Sequence, residues 1–340
     1  MAVRPPAPAI SVLMPVRDGA EHLAEAIASL EAQTFSDFEV LVVDDGSTDG
    51  TPELLRAWAG RDRRIHVVRQ EPAGIVTALE QGRALARGRY LARMDADDIA
   101  VRHRFEAQFA FMEAHPDLGA SGCLVRYFPR SALRDGARRY ERWINSLVAP
   151  EVIAARVFVE CPLAHPSLFM RAAAMEAVGG YVDREWPEDY DLVLRLWAAG
   201  FGLGKVDEVL LNWREGPDRL SRTDARYEPA AFLACKVFYL RETLARDSRE
   251  VVIWGAGPVG KRLARALAAA GTRVAAFVEL DPRKIGQEIH GAPVLETSGG
   301  LALRGPLHLA AVGQPGARSS LVAMFEGAGM VELRDFAAVA

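Results

Sequence analysis

The run Arg89-Tyr-Leu-Ala-Arg-Met-Asp-Ala-Asp-Asp98 leads from an apolar stretch into three carboxylates, Asp95, Asp97 and Asp98. If the chain is a strand there, its two-residue side-chain period points Asp95 and Asp97 to one side, where both reach one divalent cation or its ligand. Hard oxygen donors suit Mg²⁺ or Mn²⁺, usually shared with phosphate oxygens. Convergent carboxylates repel one another unless a cation neutralises them. A helix cap would explain one of the three and leave two without a role.

Three further constellations could carry chemistry. Asp44-Asp45-Gly46-Ser47 follows another apolar run. A carboxylate there either accepts hydrogen bonds from a nucleobase or ribose, or satisfies its own turn and caps the next helix. Pro187-Glu-Asp-Tyr-Asp191 opens a helical stretch. Its acidic first turn either supplies a general base or only favours the helix dipole, worth about 0.3–1 kcal/mol per residue. Gly255-Ala-Gly257-Pro-Val-Gly260 lies between a strand and a helix, the context of a dinucleotide-binding loop, with Glu279 or Asp281 placed to hold a ribose hydroxyl. A tight strand-to-helix turn with no ligand is the alternative.

The elements that must position these loops alternate quickly. A strand over 10–15 precedes a helix carrying Leu23, Ile27 and Leu30. A strand over 38–43 and a polar loop over 44–50 follow, with Thr51-Pro52 as N-cap and first helical residue of the next helix. A strand over 65–69, a helix over 75–86 and a strand over 90–94 then run into the carboxylates. This pattern predicts a mostly parallel α/β sheet whose two acidic loops open onto one edge. A helix is expected over 101–114, and 119–166 is expected to hold loops and short elements, including the basic, aromatic stretch around Arg138, Arg142 and Trp143. Helices from 187 to about 199 and over 229–246 lead to a charged stretch and a new strand over 251–254. The boundary falls there, giving domains 8–247 and 248–340, the second resembling half of a nucleotide-binding fold.

Composition narrows the class. A chain of 340 residues exceeds the usual size of one core, so two domains are expected. A formal net charge of −4 argues against bulk attraction to nucleic acid. Cys123, Cys161 and Cys235 form neither a disulfide framework nor a zinc pattern, which fits a reducing cytoplasm. Neither a signal peptide nor a spanning helix is predicted, leaving only peripheral membrane contact.

Val12-Leu-Met-Pro-Val-Arg-Asp18, the stretch 38–49 and the stretch 90–98 resemble the nucleotide-sugar half of the family 2 glycosyltransferases, which have a GT-A fold. His165-Pro-Ser-Leu-Phe-Met-Arg171, Gly179-Gly-Tyr181 and Glu188-Asp-Tyr-Asp-Leu192 are similar to the acceptor half, so the resemblance covers roughly 8–230. The resemblance implies an inverting transferase that moves a sugar from a nucleoside diphosphate to a glycan, glycolipid or related lipid-linked acceptor with Mn²⁺ or Mg²⁺. It places Pro15, Val16, Asp18, Asp45, Asp95 and Arg214 around the donor, Asp97 and Asp95 on the metal, and His165 beside the acceptor. Asp189 becomes the catalytic base, with Glu188 the second choice. The family's His after an aromatic-Arg pair is missing after Trp213-Arg214, and Pro72 and Glu80 stand where Asn is common. In the C-terminal, Rossmann-like domain Gly255, Gly257, Gly260 and Glu279 would hold a nucleotide or dinucleotide. An NAD(P)-dependent oxidoreductase or a nucleotide-sugar sensor built on that domain is the alternative.

Overall fold

The computed structural model describes residues 6–216, 219–314 and 316–340. Two compact units divide them. The first comprises the chain up to Ile153 together with Pro162–Arg184 and Asp191–Arg219; the second comprises Ala154–Cys161, Glu185–Tyr190 and Leu220–Ala340.

The first unit opens with β1 (Ile10–Val16), α1 (Leu23–Glu31), β2 (Phe38–Asp45), α2 (Thr51–Arg61), β3 (Ile65–Gln70), α3 (Ile75–Leu85) and β4 (Tyr90–Arg93). Gly50, not Thr51, is the N-cap of α2; Thr51 is its first residue, and its hydroxyl accepts the Gly19 N–H at 2.9 Å. A two-residue β5 (Ile99–Ala100), α4 (Arg104–Ala114), β6 (Leu118–Phe128), α5 (Asp135–Ser146), α6 (Pro150–Ala154), β7 (Phe169–Arg171), α7 (Ala172–Ala177), α8 (Glu188–Ala198) and β8 (Gly202–Arg214) follow, with Ala154 of α6 and Glu188–Tyr190 of α8 assigned to the second unit. The expected irregular region therefore contains an eleven-residue strand and a twelve-residue helix. Small residues conceal that strand: a Cβ on Gly119 would lie 2.7 Å from Phe201, and one on Gly122 2.9 Å from the Ser167 hydroxyl. Glycine serves close approach there and lowers the strand signal.

The sheet order is β3-β2-β1-β4-β7-β6-β8-β5. β1 pairs in parallel with both β2 and β4, so the loops after all three strands share one edge. β7 is antiparallel to β4 and β6, and β8 returns parallel to β6. β1, β2 and β4 are buried almost throughout, as expected of strands covered on both faces. Their core includes Val12, Val40, Val42, Trp58, Tyr90 and Phe105.

The second unit contains α9 (Leu220–Thr223), α10 (Pro229–Thr243), β9 (Val251–Trp254), α11 (Pro258–Ala269), β10 (Val274–Val278), β11 (Glu288–Ile289), β12 (Ala292–Leu295), α12 (Thr297–Ala302), β13 (Leu307–Ala310), α13 (Ala317–Gly327) and β14 (Phe336–Ala338). Its strands run in the order β11-β12-β10-β9-β13-β14, parallel except for the β11–β12 pair. Trp254, Phe325 and Phe336 pack at its centre, with ring centroids 4.7–4.9 Å apart along the chain Trp254–Phe325–Phe336. Among the described residues no helix is long and apolar enough to cross a membrane.

Candidate active site at the carboxylate loop

β4 ends at Arg93, so Asp95–Asp98 is a turn linking β4 to β5. Strand alternation therefore does not align Asp95 with Asp97; the turn does, and it also draws in Asp98. One oxygen from each of Asp95, Asp97 and Asp98 lies within 4.8 Å of the others. Asp98 joins this cluster although it is not among the residues expected on the metal.

Each carboxylate is held differently. Asp95 meets the buried Arg93 guanidinium at 2.6 Å. Asp98 is fully buried; its Oδ1 accepts the Arg214 N–H at 2.7 Å and its Oδ2 has no hydrogen-bond partner. Burial, then the neighbouring charges of Asp95 and Asp97, push the Asp98 carboxyl well above the usual range. Burial and Asp95 also raise Asp97, against the pull of Arg219 and Arg214. A buried carboxylate oxygen without a donor, inside a cluster of like charge, is a set that a small divalent cation satisfies.

β8 supplies the wall opposite this turn. Arg214 donates Nε to the Asp97 carbonyl at 2.7 Å, pairs with Glu25 and lies 4.4 Å over the Phe128 ring. It thus organises the turn through the backbone. Arg219 lies 4.5 Å over Trp213 and pairs with Glu215 at 3.2 Å.

Two strand positions away, at about 5 Å per strand, Asp45 ends β2 on the same edge. Its oxygens accept from Gln70 at 2.6 Å, Ala73 N–H at 2.7 Å and Gly74 N–H at 2.9 Å. That fixes the carboxylate and leaves about one of its four acceptor directions for a ligand. Asp18, at φ 47°, accepts the Thr48 N–H at 2.7 Å while its own N–H donates to Ser47 at 2.9 Å. The loops after β1 and β2 are thereby laced together, beside the half-buried Pro15 and the buried Val16.

His165 is buried and shares a hydrogen bond with the Tyr181 hydroxyl at 2.9 Å. Burial, helped by Arg93, holds its imidazole well below the ordinary value, so it is neutral at pH 7. Glu188 and Asp189, at the start of α8, belong to the second unit. Both Glu188 oxygens accept from the Tyr227 hydroxyl at 2.7 Å and the residue is fully buried. Asp189 is partly exposed, with Oδ1 accepting the Tyr190 N–H at 2.7 Å. Of the two, Asp189 is the one with access to a ligand.

A family model described as glycosyl transferase family 2 matches residues 11–178. The putative glycosyltransferase EpsE of Bacillus subtilis is 32% identical over 225 residues, spanning 65% of this chain and 78% of the relative. The chain belongs to glycosyl transferase family 2. The amylovoran biosynthesis glycosyltransferase AmsE of Erwinia amylovora, another relative, is 29% identical over 203 residues, 59% of this chain and 74% of that protein. Among solved structures, a mannosyltransferase from Pyrobaculum calidifontis in complex with GDP-Man and Mn²⁺ aligns with a TM-score of 0.56 at 18% identity, covering 97% of this chain and 83% of that one. TarS 1–349 of S. aureus in complex with UDP-GlcNAc gives 0.54 at 17% identity, over 76% and 71%. At such identities the likeness shows the fold, a mixed α/β GT-A architecture, and the family assignment makes the chain a glycosyltransferase.

Proposed function

We propose that this family 2 enzyme is metal-dependent and inverting, and that it moves a sugar from a nucleoside diphosphate to a glycan or lipid-linked acceptor in polysaccharide or glycoconjugate biosynthesis. The observation that carries this reading is the Asp95–Asp97–Asp98 cluster with its unpartnered buried oxygen. The names of EpsE and AmsE, and the GDP-Man, UDP-GlcNAc and Mn²⁺ bound by the structural neighbours, support it.

Mn²⁺ or Mg²⁺ held by Asp97, with Asp95 and Asp98 beside it, would neutralise the diphosphate as it leaves. Arg93 already balances much of the Asp95 charge, which makes Asp97 the principal ligand. Asp45 and Asp18 would hold the nucleoside, with Pro15 and Val16 forming its apolar floor. Asp189 would take the proton from the acceptor hydroxyl as that oxygen attacks in line, inverting the anomeric centre. Glu188, tied to Tyr227, holds the helix start. His165, neutral, would line the acceptor side. The protein would work in the cytoplasm, touching a membrane only peripherally. Residues 248–340, which carry the second sheet, would form a Rossmann-like nucleotide-binding module.

A screen of UDP-, GDP- and dTDP-sugars with Mn²⁺, counting released nucleoside diphosphate, tests the reading. Turnover of one donor, reduced at least about 100-fold in Asp97→Asn and Asp189→Asn, is expected. No turnover with any donor, or full activity in folded Asp97→Asn, defeats it.

A further inference from the structure

We infer that the carboxyl edge of the second sheet holds a ribose 5′-diphosphate, the nucleoside diphosphate part of a dinucleotide or of a nucleotide-sugar, as a bound and chemically unchanged ligand. This deepens the nucleotide-binding reading of the second unit and is independent of the transfer chemistry.

The sheet order places β10 and β12 on one side of β9 and β13 and β14 on the other, so the chain reverses direction between β9 and β13. Open parallel sheets bind ligands at such a switch point, outside the carboxyl ends of the strands. A cavity of about 500 Å³ lies there, walled by the residues that follow β9, β10 and β13. Its volume suits a nucleotide-sized molecule.

The cavity wall carries groups matched to each part of that ligand. Glu279, just past β10, accepts from Leu280 N–H at 3.0 Å, Ala256 N–H at 3.2 Å and Lys284 Nζ at 2.9 Å. Burial raises its pKa, but the Lys284 hydrogen bond and the others outweigh it and keep it ionised. Three of about four acceptor directions are filled, leaving one for a ribose hydroxyl. Lys284 supplies a cation, and the first turn of the twelve-residue α11 supplies backbone N–H groups for the diphosphate. Val312, Leu321 and Met324 give an apolar wall for the remainder.

Two glycines of the loop differ in what requires them. A Cβ on Gly260 would sit 1.9 Å from the Gly255 carbonyl oxygen, so close packing of α11 demands glycine there. A Cβ on Gly257 would meet nothing within 4 Å, at an ordinary φ of −85°. Its bare backbone faces open space that a phosphate can approach. Glu279 and Lys284 are the titratable groups among the lining residues, and one of the three Lys284 ammonium donors is spent on Glu279 at 2.9 Å, leaving two for phosphate oxygens. The cavity therefore offers binding groups and no free acid or base to convert what it binds.

Calorimetry on the 340-residue Asp97→Asn chain in EDTA, which silences the metal site of the first unit, tests this with ADP, UDP and NAD⁺ as probes. One site per chain for at least one probe is expected. Adding Gly257→Asp places a carboxylate against the diphosphate at a position where Asp is a good N-cap; binding should weaken at least tenfold with the melting temperature kept. Gly257→Asp-sensitive binding of ADP and NAD⁺ identifies a dinucleotide, and Gly257→Asp-sensitive binding of UDP without ADP a nucleotide-sugar; either supports the site, whereas binding that survives Gly257→Asp belongs to the donor site of the first unit. The 2′-deoxy form of the bound nucleoside diphosphate should bind at least fivefold more weakly, a difference that Glu279→Gln removes. No binding by folded protein, or binding indifferent to Gly257→Asp, overturns the proposal.

Discussion

Asp97 and Asp98 sit in one turn yet respond to their surroundings for the same first reason, burial, followed by the charge of Asp95. Their folded pKa values lie above the unfolded value of about 4. The native state therefore holds protons that the unfolded chain has released, and this contribution to stability falls as pH rises through the raised values. Without metal, wild type should lose stability relative to Asp98→Asn as pH goes from about 4 to 7.5, a shift of about 2–4 °C in melting temperature per kcal/mol. Mn²⁺ should reverse the order at pH 7.5 by binding the ionised cluster. Equal melting curves for the two proteins across that range would remove the cluster's electrostatic strain from the account. The acidic residues were plain in the sequence, but the geometry was not. Two-residue alternation holds only while the backbone is extended, and the chain turns after Arg93. Nor does spacing reveal that Arg93 would be buried against Asp95 or that Arg214 would cap Asp98 from a strand more than a hundred residues away.

The elements differ in how openly the sequence states them. β1, β2 and β4 are short apolar runs and were legible; β6 and β8 contain glycines at close approaches and were not. The loop leading to α11 was legible as glycines between a strand and a helix, yet which glycine serves packing depends on contacts. Gly260→Ala drives a methyl into the Gly255 carbonyl and should cost about 1–3 kcal/mol, read as a lowered urea midpoint with an unchanged slope. At the start of α8, the Tyr227 hydroxyl serves both oxygens of the buried Glu188. Tyr227→Phe removes that donor and should destabilise by about 1–3 kcal/mol, whereas Asp189→Asn, at a partly exposed position, should leave the melting temperature within about 1–2 °C. If both variants melt alike while only Tyr227→Phe loses transfer, the division between a holding Glu188 and a reacting Asp189 is wrong.

At the scale of the molecule, the change of composition near 247 marks where the second sheet begins, since β9 starts at Val251. The compact unit around that sheet is drawn wider: it takes in Ala154–Cys161, Glu185–Tyr190 and the chain from Leu220, including α10. Long-range contacts do this, and a reading along the chain sees only neighbours. Arg156 pairs with Glu332 at 2.7 Å, and Lys236 donates to the carbonyls of Val159 at 3.0 Å and Val339 at 2.7 Å. Burial lowers the Lys236 ammonium to about 8, so those carbonyls matter to keeping it inside. A chain ended at 247 would strip α10 of its packing against α11, remove Glu332 and Val339, and leave Arg156 and Lys236 without these partners. Leaving buried polar groups without partners costs about 1–3 kcal/mol each, before the lost apolar burial is counted. The shortened chain should therefore fail to give a cooperative melt and should be cut by protease within 154–161 and 220–247, where the full chain resists. A shortened protein that melts cooperatively and resists cleavage there would show that the first 247 residues fold without the second sheet.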